Sequence, residues 1–217
     1  YRLGYLPEYT ADKVKRPKAA EKQIECFTVE EQKKIEAAAL ADRRPKMFGI
    51  VLCLYTGLRI GELLALEWSD VDLSKGEISV NKSCHDSKKD GKYCRLAEAP
   101  KTPSSRRIVP IPKQLLPRLR EQKKKSSSAF VVGEDKVQTV RSYQYSFSLL
   151  LRRIGISHRG FHALRHTFAT RALECGMDVK TLSEILGHKN PTVTLNRYVH
   201  SLMPHKHEMM NRLGKLL

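Results

Sequence analysis

The chain contains no apolar run approaching the roughly 20 residues that a membrane-crossing helix requires, and no signal-peptide pattern opens it. Its five cysteines (Cys26, Cys53, Cys84, Cys94, Cys175) form no Cys-x-x-Cys pair. That argues against a zinc ribbon and for a reducing compartment. Cys84 and Cys94 could face each other across a hairpin, but the same compartment argument weighs against a disulfide. There is no Gly-rich phosphate loop, and no carboxylate cluster of the kind a metal-dependent nuclease needs. His162 and His166 are four apart, as in zinc-holding helices, yet Ala163 stands where a zinc protease helix needs Glu. No internal repeat occurs, and low complexity is confined to short Lys and Ser runs near 123–128. Acidic residues are scarce as well, 23 against 40 Lys and Arg.

What is present is a strongly basic, foldable chain. Its 217 residues suffice to bury a core, and the length suggests one domain with attachments. An apolar fraction of 41% fits a folded protein. The formal charge of +17 favours polyanions, nucleic acid first and an anionic membrane surface second.

Residues 1–22 mix basic side chains with Pro7 and Pro17 without a clean period and read as an interdomain linker trailing an upstream domain. Thr28-Val29-Glu30-Glu31 is a capping box that opens a first helix. Pro45 opens a second, which stops at Thr56-Gly57, and a third spans about Leu58 to Leu66. The pattern then turns to strands. Glu77 to Lys82 alternates, Tyr93 to Ala97 is placed to pair back on it, and Arg106 to Ile111 forms a third strand. Helices resume from Lys113, at Val140 to Ile154, His162 to Cys175, Val179 to Leu186 and Pro191 to Val199, followed by an amphipathic stretch from Leu202 to Leu217. The expected fold is α+β, mainly helical with a small antiparallel three-stranded sheet. Residues 23–201 are expected to form the main domain and 202–217 a tail helix.

Several polar residues stand out. His162 and Arg165 are three apart and share a helix face, although alone such a pair reads as a solvated helix start. Arg59 sits among apolar residues where a charge needs a partner. Glu62 supplies one, either as a bland ion pair or as the brace of a guanidinium aimed at phosphate. Lys101 lies in the turn Pro100-Lys101-Thr102-Pro103 and becomes a proton donor only if that loop covers a phosphate. His188 follows Gly187 at a helix end. Tyr198 comes ten residues later, and its hydroxyl needs neighbouring cations to ionise near neutral pH.

The order Arg, turn Lys, His-x-x-Arg, Gly-His, Tyr resembles the catalytic domain of tyrosine recombinases, the phage-integrase family. The resemblance covers about residues 23–217. It rests on Thr56-Gly57-Leu58-Arg59-Ile60-Gly61-Glu62-Leu63, His162-Ala163-Leu164-Arg165-His166 and Leu186-Gly187-His188, and within the family it is greatest to integrases of bacterial conjugative transposons. It implies that Tyr198 attacks a DNA phosphodiester to give a 3′-phosphotyrosyl link, that Arg59 and Arg165 grip the non-bridging oxygens, and that Lys101 protonates the leaving 5′-oxygen. His162 and His188 would then bond the phosphate and move protons. No metal and no cofactor is implied, because cationic side chains do the charge work.

The implied partner is double-stranded DNA at recombination sites, bound by a homo-oligomer of two to four copies, with the tail either packing on its own domain or docking in trans. Accessory DNA-bending or excision factors are further partners, no membrane is involved, and the setting is a bacterial cytoplasm, at the nucleoid. Arg141, opening its helix, is the candidate for a base or phosphate contact. A type IB topoisomerase shares this chemistry, and a non-catalytic DNA-binding regulator shares the fold; strand exchange and the intact residue set, respectively, separate them from a recombinase.

Overall fold

The computed structural model describes residues 25–42, 44–89, 92–98, 106–133, 138–188, 190–192, 194, 210–211 and 213–215, with the backbone alone at 88–89 and 92–98. Helix α1 (Val29–Ala41) starts at the expected capping box: the Thr28 hydroxyl accepts from the Glu31 amide at 3.2 Å and the Glu31 carboxylate accepts from the Thr28 amide at 2.9 Å. Helix α2 (Pro45–Thr56) has proline in its first turn, where a missing N–H costs nothing. Met47 to Leu54 are all buried, so α2 forms the centre of the molecule, with α1 and α6 (His162–Glu174) packed against it. Gly57 ends α2 at φ 64°, a left-handed conformation in which a Cβ would also lie 2.5 Å from the Phe168 ring. The chain therefore turns sharply into α3 (Ile60–Ala65), placing Arg59 at its N-cap.

Helix α4 (Leu116–Lys125) continues a short 3-10 turn that begins at Lys113. Helix α5 (Val140–Arg153) buries Tyr143, Phe147, Leu150 and Leu151, a spacing of three and four that sets one face on the core. Phe147 and Tyr143 both meet Phe161 edge-on with centroids 5.3 Å apart. Helix α7 (Val179–Leu186) opens on Asp178 and closes on Gly187 at φ 65°. The mainly helical expectation is met, with helix boundaries among the described residues close to those read from the caps, while most of the expected helices Pro191 to Val199 and Leu202 to Leu217 lies outside the described residues.

Strand membership differs from expectation. The three-stranded antiparallel sheet has the order β1 (Val71–Asp72), β2 (Glu77–Val80), β5 (Arg107–Pro110). The segment expected to pair back on Glu77–Lys82 pairs instead with the residues after it, as β3 (Ser83–Lys89) and β4 (Lys92–Glu98) in a separate hairpin. The hairpin register sets Cys94 opposite Ser87 and Cys84 opposite Ala97, and Cys84 is a free thiol, so the two are not bridged. The hairpin is anchored at two places. On one side β3 comes so close to α3 that a Cβ on Gly61 would sit 2.4 Å from the Cys84 carbonyl. On the other, the Asp86 carboxylate accepts from the Val140 and Arg141 amides at 2.7 and 3.0 Å, capping α5.

Candidate active site

Helix α7 ends with carbonyls that have no helical partner, and three arginines supply the missing donors. Arg107 Nε donates to the Ile185 carbonyl at 2.5 Å, Arg165 Nη2 to Leu186 at 2.6 Å, and Arg59 Nη2 to Gly187 at 3.3 Å. Cations at this end also complement the helix dipole. The three side chains come from β5, α6 and the α2–α3 turn, so one helix terminus gathers residues scattered along the chain.

Arg165 is 2% exposed, a buried charge that needs full hydrogen bonding. Besides Leu186 it donates from Nη1 to the Gly57 carbonyl at 2.8 Å, and its Nη2 lies 3.1 Å from His188 Nε2. A guanidinium can only donate, so His188 Nε2 accepts, and the ring proton sits on Nδ1 and is given to the Thr194 hydroxyl at 2.7 Å. Thr194 is itself buried.

Glu62 joins the second half of the site. Its carboxylate accepts from Arg59 Nη1 at 2.8 Å and from the Arg59 amide at 2.8 Å, and it receives Arg107 through both oxygens at 2.9 and 2.8 Å. Burial pushes its carboxyl up, but the hydrogen bonds and charge of Arg107, then the charge of Arg59, outweigh that and bring it down to about 2. The ion pair expected between Arg59 and Glu62 is therefore present, as part of a larger network.

The structure thus brings together Arg59, Glu62, Arg165 and His188 of the expected set. His162 is exposed at the start of α6, one turn before Arg165, and its ring stands edge-on to His166 with centroids 4.5 Å apart. Lys101 and Tyr198 lie outside the described residues. Arg141 is exposed at the first turn of α5, away from this cluster in sequence and held by its backbone to Asp86. Sequence reasoning missed Arg107 and Thr194. The available signal for Arg107 was its position two residues before Val109, which puts a charge on the inward face of β5. For Thr194 there was none beyond its closeness to His188. Among the described residues no group of three or more His, Cys, Asp or Glu could hold a metal ion, and no helix is long and apolar enough to cross a membrane.

A buried arginine, a partly exposed arginine and a neutral histidine joined at one helix end make a place for an oxyanion. Comparison with known proteins gives that arrangement its family. The phage integrase family model matches residues 22–205, and the chain belongs to that family. It is similar to a XerC-like tyrosine recombinase of Caldanaerobacter subterraneus subsp. tengcongensis, 37% identical over 90% of this chain and 55% of the relative. It is also similar to the transposase of transposon Tn916 from Enterococcus faecalis, 29% identical over 87% of this chain and 51% of the relative. Among solved structures, the Tn1549 transposon integrase in complex with a circular intermediate DNA superposes with a TM-score of 0.75 at 26% identity, covering 91% of this chain and 68% of that one. The chain spans about half to three-fifths of the length of the curated relatives it matches.

Proposed function

We propose that this chain is the catalytic part of a site-specific recombinase that cleaves and rejoins DNA to excise and integrate a mobile element of the conjugative-transposon kind. The observation that carries the reading is the convergence of Arg59, Arg165 and His188 on the end of α7, because two guanidiniums match the charge that builds on a pentacovalent phosphate and His188 holds one of them in place. The Tyr198 oxygen attacks phosphorus and the bond to the 5′-oxygen breaks. Lys101 gives its proton to that leaving oxygen, and Tyr198 is left esterified to the 3′-phosphate. A 5′-hydroxyl of a second strand reverses the step, so bond energy is conserved in the covalent link. His162 hydrogen-bonds the phosphate and relays the tyrosine proton, and His188 joins it once its Nε2 leaves Arg165 and takes up a proton. Arg141, exposed at the first turn of α5, contacts the duplex, and two to four copies assemble there in the manner of the DNA-bound tetramer formed by lambda integrase. Residues 23–201 form the catalytic unit.

The experiment is covalent trapping. A nicked duplex made from the ends of the element encoding the chain, incubated with the protein, should yield a 3′-adduct that resists denaturant, and Tyr198→Phe should yield none. An adduct that survives this substitution removes Tyr198 as nucleophile. Relaxation of a supercoil without exchange between two duplexes would assign the chemistry to a topoisomerase instead.

A further inference from the structure

One member of the cluster is badly placed for a phosphate. Arg107 is 6% exposed in its side chain, whereas Arg59 is 36% exposed. Its Nη1 and Nη2 are on the two oxygens of Glu62 and its Nε is on the Ile185 carbonyl, so each of its three nitrogens donates inside the protein. A fork on a carboxylate is the preferred geometry of such a pair, and Arg107 holds it. Arg59 reaches Glu62 with Nη1 alone, at Oε1, while its Nη2 is turned to Gly187. The second bond from Arg59 to Glu62 comes from its backbone amide. Two guanidiniums thus share one carboxylate, which leaves the trio with one net positive charge, on its exposed side. Gly187 makes room for this, since a Cβ there would lie 3.0 Å from Arg107 Cδ.

Without Arg107, Glu62 would face Arg59 alone. Nothing would then stop Arg59 from closing its own fork on the carboxylate, turning it inward and cancelling its charge. We propose that Arg107 is a positioning residue: by neutralising Glu62 from the buried side it keeps the Arg59 guanidinium oriented toward, and charged for, a scissile phosphate. The inference rests on the recombinase reading above.

The test is single-turnover cleavage of the same nicked duplex at saturating protein, with duplex affinity measured alongside. Arg107→Gln should lower the cleavage rate about 10²-fold, the usual effect of losing one oxyanion contact, while affinity changes by less than about threefold. The double variant Glu62→Gln/Arg107→Gln removes the carboxylate that captures Arg59 and should recover at least about tenfold of that loss. Arg107→Lys keeps the charge and should stay within about tenfold of the unsubstituted chain. Rates as low in the double variant or in Arg107→Lys as in Arg107→Gln would overturn the proposal, because shape rather than charge would then matter. If Arg107→Gln does not fold, the double variant and Arg107→Lys decide the matter by the same comparison. An unsubstituted chain that forms no adduct sinks the recombinase reading and this inference with it. Cleavage without rescue sinks this inference alone.

Discussion

Glu62 carries its charge in a side chain that is 6% exposed, a placement that water opposes and that only its arginine partners make favourable. Its carboxyl lies near 2 in the folded chain against 4.5 for an ordinary glutamate. A folded value below the unfolded one means the stabilisation is present above about pH 4.5 and is lost as pH falls toward 2. The size is roughly 3–4 kcal/mol at most, from about 1.4 kcal/mol for each unit of difference. Urea unfolding from pH 7 down to pH 2 should therefore show a stability gap between the parent chain and Glu62→Gln that is widest above about pH 5 and closes on acidification. A gap that stays constant with pH would mean that Glu62 is not ionised in the fold. The same residue shows why the ion pair was legible early: Arg59 and Glu62 are three apart at a helix start, where spacing alone puts them in reach.

Helix α7 does more than connect α6 to His188, because its last carbonyls are the shared ligand of three arginines. Gly187 is where this depends on backbone. It holds φ 65°, and its missing Cβ is the space that Arg107 occupies. Gly187→Ala should cost about 1 kcal/mol from the left-handed conformation. By displacing Arg107 and His188 together it should also lower single-turnover cleavage by about 10²-fold, more than the stability loss explains. A thermal melt and a cleavage assay on one preparation check both, and normal cleavage in the destabilised variant would show that the carbonyl collar tolerates movement. The helices themselves were readable from the chain because their ends carry chemistry: Thr28, Pro45, Gly57, Asp178 and Gly187 act locally. Sheet membership was not, since β1 is two residues long and shows no period. Arg107 was hidden for a related reason. Ile108 beside Val109 blurs the alternation of β5, Ile108 being exposed, and the partners of Arg107 lie 45 and 78 residues away.

At the scale of the whole molecule, a net charge of +17 makes copies of this chain repel one another at low salt. Assembly then needs two things, phosphates to cancel the charge and an attraction that is not electrostatic. Under the proposed function, DNA supplies the first. For the second, the tail holds helical residues whose apolar members are uncovered, Met210 at 65% and Leu213 at 47% exposed. These two are three apart and so share a helix face, and a neighbouring subunit is the occupant that the family resemblance implies. Deleting residues 203–217 should accordingly leave single-copy binding to a half-site duplex within about threefold of the parent chain, because most of the positive charge proposed to meet phosphate lies outside the tail. It should remove the slower, multi-copy complexes on a full site, as read by native gel shift or by mass photometry. Multi-copy complexes that persist after the deletion would mean that the tail packs on its own subunit. Complexes that form without DNA would mean that the charge argument is wrong, because self-attraction would then exceed the repulsion of +17.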